Sequence, residues 1–141
     1  MTTASTLTLH LSILLGVYMI AAGLGGLTDK ERWPELIAEL ERSRALVYLI
    51  AIVAFAAGAV MVSLHNLWTD PLAIVVTLIG WSALAEAIML FVAPASWFAL
   101  ARPFLRHLRA FAIVTILLGI LLLAAGLTGR ADPLFLDERY A

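Results

Sequence analysis

The chain places one carboxylate, Glu86, inside an otherwise apolar run, and two imidazoles, His10 and His65, near the ends of such runs. A carboxylate within a membrane span costs about 2.5–3.5 kcal/mol on insertion scales, which makes Glu86 a candidate functional residue. Three chemistries suit it. It can pair with Arg109 or Arg106, whose side chains are long enough to snorkel toward it; it can bind a proton or cation on a transport path; or it can meet a charge on a partner subunit. Ser82, one turn earlier, shares its face, and Tyr48 lies at similar depth. His10 and His65 enter from the same side, so the imidazoles can meet, and with Asp70 they have the residue types of a divalent-metal site. No helical spacing links them, however, and no third His is nearby, so no metal is expected. Haem ligation is disfavoured because both imidazoles fall in the wet interface. The reading therefore includes no cofactor.

The elements that must position these residues are helices. Four apolar runs, at about 7–27, 45–64, 71–93 and 109–128, are each long enough as a helix to cross roughly 30 Å of hydrocarbon. Hydrophobic residues make up 63% of the chain and charged ones 13%, with a mean hydropathy of +1.01, so lipid is the natural solvent for its surface. Barrel strands would alternate with period two, and that pattern is missing. The expected fold is an all-α membrane protein, an up-down bundle of four spans in a single domain over residues 1–141. A net charge of −1 with no basic patch on a soluble face argues against a nucleic-acid partner. With no cysteine, disulfides and thiol chemistry are excluded. Residues 1–6 carry no basic segment, so the first run is expected to stay as a span.

Basic residues sort by loop. Lys30, Arg32, Arg42 and Arg44 lie between runs one and two, and Arg102, Arg106 and Arg109 between runs three and four. The positive-inside rule makes these loops cytoplasmic and puts both termini outside, together with the turn from His65 to Pro71. His107 reads as a solvated member of the basic cluster. Offset by 64 residues the halves resemble each other: Gly16 falls on Gly80, Trp33 on Trp97, Leu36 on Leu100 and Arg42 on Arg106. Either a parallel repeat or the ease with which apolar helices align accounts for this. Each linker reads as a short amphipathic helix on the membrane surface, with Pro34 near the start of one and Ser96 as N-cap of the other. Gly16 and Gly23, like Gly119 and Gly126, stand seven apart, which gives small faces for helix packing.

In the turn, Asp70 and Pro71 suit the N-cap and first position of the third span, Asn66 suits the end of the second, and Trp68 fits an aromatic belt. Trp81 lies deep enough that its indole N–H needs an acceptor, so it is expected to face the bundle. Thr77 is expected to bond its own helix backbone. The sequence His65-Asn66-Leu67-Trp68 followed by Thr77-Leu78-Ile79-Gly80-Trp81 resembles a family of small, uncharacterised bacterial integral membrane proteins with an H-N-x-W turn and a T-L-x-G-W helix. The likeness covers mainly residues 45–94. It implies four spans and a turn whose His, Asn and Trp belong together, but no activity; the expected location is a bacterial inner membrane. Where that pattern has a basic or small residue after Gly-Trp, this chain has Ala85-Glu86-Ala87.

These features predict a non-enzymatic accessory or assembly subunit, of a larger membrane complex or of its own oligomer. The alternative is a small dimeric carrier or channel coupled to protons or cations through Glu86. An enzyme ranks third, because the polar residues are too scattered to assemble nucleophile, base and oxyanion donors.

Overall fold

The computed structural model describes residues 6–29 and 31–129. The N-terminal segment, Lys30, Arg130 and Arg139 lie outside the described residues. Six helices follow in order: α1 (Thr6–Thr28), α2 (Arg32–Arg42), α3 (Arg44–Leu64), α4 (Pro71–Val92), α5 (Pro94–Arg106) and α6 (Leu108–Thr128). As the apolar runs predict, four of them, α1, α3, α4 and α6, are long and apolar enough to cross a membrane. Their outer surfaces suit that solvent: Val92 is 79% exposed, Leu14 67% and Leu127 69%.

Local chemistry sets the helix ends. Asp29 accepts the backbone N–H groups of Glu31 and Arg32 at 3.2 Å each, which organises the entry to α2. Ser43 caps α3 by accepting from Leu46 N–H at 3.3 Å. Asp70 caps α4 by accepting from Ala73 N–H at 2.9 Å, with Pro71 in the first turn where its missing N–H costs nothing. α6 ends at Gly129, whose φ of 68° is the left-handed conformation that glycine adopts without a steric penalty. One expected cap is different. α5 begins at Pro94, not after Ser96, because Pro94 takes the first helical turn directly after Ala93 and leaves Ser96 exposed within it.

The long helices pack chiefly as two antiparallel pairs, α1 with α6 and α3 with α4. Glycine permits the first. A Cβ on Gly16 would lie 2.7 Å from the Gly119 carbonyl oxygen, one on Gly23 2.8 Å from that of Ala112, and one on Gly126 2.9 Å from that of Leu9. The seven-residue spacing of these positions keeps one small face of each helix against the other along its length. Gly58 does the same for α3, where a Cβ would meet Leu84 N at 2.7 Å. The core lies where α4 meets the first pair: Leu72, Leu122 and Ala125 are buried together, packed against Leu9, Met19, Val75 and Leu118.

The 64-residue offset extends to the helices themselves. Shifted by it, the bounds of α3 coincide with those of α6, and the bounds of α1 match those of α4 to within one residue. Pairing follows the same operation, since exchanging the halves turns α1 against α6 into α4 against α3. Helix order, length and partner choice thus agree with a parallel repeat. The linkers α2 and α5 lie at one end of the bundle and touch there, joined by an Arg102–Glu41 ion pair of 3.0 Å. At that exposure such a pair contributes at most about 1 kcal/mol.

Candidate functional site

The main polar constellation lies where α3 hands over to α4. Contacts run from Gly58 on Leu84 to Met61 on Gly80, so α3 reaches its last residue, Leu64, near the level of Thr77. Thr77 is about 9 Å along α4 from Pro71, at 1.5 Å per residue. The chain from His65 to Asp70 therefore runs in a non-helical path beside the first turns of α4, with φ of −139° at His65 and −144° at Asp70. Backbone released from a helix at such depth must find partners within the protein.

Thr77 supplies them. Its hydroxyl donates to the Leu67 carbonyl at 3.0 Å and accepts from Leu67 N–H at 3.2 Å. Because that proton goes to Leu67, the 3.2 Å contact with His65 Nδ1 is satisfied by an imidazole N–H donating to the second lone pair of Thr77. His65 Nε2 is hydrogen-bonded to the Thr8 hydroxyl on α1 at 2.8 Å. His65, Thr8 and Ser12 are 0% exposed and Thr77 1%, and Ser12 donates to the Thr8 carbonyl at 2.7 Å. The imidazole thus joins α1, the end of α3 and α4, with both ring nitrogens engaged.

Asn66 is the second hub. Its Oδ1 accepts from Trp68 Nε1 at 3.0 Å and from Trp81 Nε1 at 3.4 Å. Replacing Asn66 with Ala removes the acceptor of both indoles and is expected to cost about 1 kcal/mol in a reversible unfolding titration. Asn66→Asp, which keeps an acceptor oxygen, should retain most of that stability; equal losses in the two variants would refute the role.

Several expectations change here. His10 is exposed and uses Nδ1 on the Thr6 carbonyl of its own helix at 2.7 Å, so it does not meet His65. Asn66 does not end the second span, because α3 stops at Leu64 and His65 N–H makes the last helical bond, to Met61. Trp81 is 45% exposed and turns its N–H to Asn66 rather than into the core. Thr77 serves the neighbouring extended segment instead of its own helix backbone. Sequence reasoning missed Thr8, although Thr8 and Ser12, four apart in an apolar run, put two hydroxyls on one helix face.

Glu86 stands apart from this network. Counting back from Val92 it lies about 9 Å from the C-terminal end of α4. It is exposed on the helix surface, on the side of α4 that faces the Trp97 side chain of α5. The expected pair with Arg109 is not formed: the ion pair among the described residues is Arg102–Glu41, and Arg109 is exposed at the start of α6. Ser82 donates to the Ile79 carbonyl at 2.8 Å, and Tyr48 packs edge-on against Phe91 with ring centroids 5.1 Å apart. His107 is exposed at the corner between α5 and α6. Among the described residues no three His, Cys, Asp or Glu side chains converge as a metal site would require.

Fold and site together define a helical membrane protein built from two similar three-helix halves, with a non-helical crossing held by side-chain hydrogen bonds. Compared with known proteins, the chain matches no family model, no curated protein and no solved structure.

Proposed function

We propose that this protein is a non-enzymatic subunit of a membrane assembly, its own oligomer or a larger complex, and that it docks through the α4 surface carrying Trp81, Ser82 and Glu86. The observation behind this reading is that Glu86 is exposed on a helix apolar enough to cross a membrane and forms no ion pair among the described residues. A carboxylate left against lipid is costly, and a partner helix that offers donors or a positive charge removes that cost. The same position argues against a path for ions inside one chain, because Glu86 lies outside the packed helix pairs. The His65, Asn66 and Thr77 network fits a subunit whose polar residues hold its shape. In this reading the H-N-x-W turn and T-L-x-G-W helix are one structural module, supported by the bonds between them. The basic linkers favour a cytoplasmic α2 and α5 in a bacterial inner membrane, with both termini periplasmic.

Purification in mild detergent followed by size analysis and mass spectrometry tests the docking surface. The wild type is expected to run as an assembly and Glu86→Gln as a monomer with unchanged helicity. A wild type that is monomeric and alone, or a variant that assembles normally, would sink the idea. Vesicles containing a pH-sensitive dye address the carrier alternative: proton flux abolished in Glu86→Gln would replace the subunit reading.

A further inference from the structure

At the basic end of the bundle α2, α3, α4 and α5 enclose a groove of about 510 Å³, within the range of roughly 300–1,000 Å³ typical of small-molecule sites. Val47, Leu90 and Phe98 line it with apolar surface, and Tyr48 stands on its wall. Glu41 and Arg44 form its polar rim, and Glu41 is already held by Arg102. The rim therefore has one cation in excess, and Arg44 forms no ion pair among the described residues.

The repeat shows why the space exists. At the 64-residue offset Leu40 and Val47 correspond to Phe104 and Phe111, whose rings pack against each other with centroids 4.7 Å apart. Smaller side chains at these two positions leave open in the first half a face on which, in the second, two half-exposed rings pack together. An apolar slot under an unpaired guanidinium, at the end of a membrane-spanning bundle, matches an amphiphile with an alkyl chain and an anionic head.

We propose that this groove is a specific site for one anionic phospholipid, with an acyl chain between α3 and α5 and the phosphate on Arg44. The site uses none of the residues assigned to the α4 docking surface, so each proposal can fail without the other.

The test is native mass spectrometry of the full-length protein from micelles containing phosphatidylglycerol and phosphatidylcholine with identical chains. One phosphatidylglycerol is expected to be retained, about fivefold over phosphatidylcholine, as one basic residue at a membrane surface provides. Arg44→Gln should remove this preference while leaving helicity and melting unchanged. The double variant Leu40→Phe/Val47→Phe, which copies the second half, should retain neither lipid. Equal retention of both lipids by the wild type would overturn the proposal, as would full preference in Arg44→Gln or undiminished binding in the Phe variant. Displacement of the lipid by millimolar inorganic phosphate would also overturn it, in favour of a free-anion site.

Discussion

Replacing Gly119 with Leu is expected to part α1 from α6 and to abolish the compact fold in detergent. A Cβ at Gly119 would lie 2.8 Å from the Gly16 carbonyl oxygen and 3.0 Å from Ile20 N, so the clash is with backbone that cannot rotate aside. Even Ala must push the helices apart, and overpacking of this kind typically costs about 1–3 kcal/mol. Leu adds three more carbons at the same point, and separation there is transmitted along the whole seven-residue ladder from Leu9 to Ala112. It also disturbs the α4 contact, because Leu122 and Ala125 on α6 form the core with Leu72. Gly25→Leu is the control, since a Cβ there meets only the end of Arg32 at 3.7 Å. Reversible unfolding in mixed micelles is expected to show Gly25→Leu close to wild type, Gly119→Ala weakened by about 1–3 kcal/mol, and Gly119→Leu without a cooperative transition. A Gly119→Leu protein that melts like Gly25→Leu would show that the pair does not depend on this approach.

Gly119 illustrates which parts of the structure were legible in the sequence. Apolar length and absent period-two patterning sufficed for four helical spans, and glycines seven apart marked the faces that pack. Asp70-Pro71 marked a helix start, because capping is local: Asp70 reaches an N–H only three residues on. What escaped was set by contacts between distant segments. His65 and Thr8 are 57 positions apart, and no local rule selects Thr8 over His10, which enters the same span half a turn away. Charge alone directs Glu86 toward Arg109; the rotation of α4 about its axis, fixed by the buried Gly80 and Leu72, turns the carboxylate outward instead. Asn66 and Trp81 were misjudged for a related reason. A short polar turn suggests a link between helix ends only; in the fold α3 ends near the level of Thr77 and the turn descends to that level along α4, within reach of side chains deeper in that helix.

That descent makes His65 the position where a single substitution is expected to do most damage among the polar residues. His65→Leu takes away the Thr8 and Thr77 contacts at once, in a place with no water to replace them. Hydrogen bonds between membrane helices are worth about 0.6–1.7 kcal/mol each, and leaving a buried polar group without its partner adds a desolvation cost, so a loss of about 2–4 kcal/mol is expected. Thr77→Val should do comparable harm, because the same hydroxyl serves both the N–H and the C=O of Leu67, which a methyl group cannot. Thr77→Ser retains the hydroxyl and should stay near wild type. The decisive quantity is the coupling: if His65 and Thr77 act as one joint, the double variant His65→Leu/Thr77→Val loses less than the sum of the single losses, by at least about 0.5 kcal/mol. Strict additivity would mean that the imidazole merely fills space. A positive coupling would instead explain why a histidine, an asparagine and a tryptophan stand in one turn opposite a threonine and a second tryptophan: together they satisfy a segment of backbone that leaves its helix beside α4.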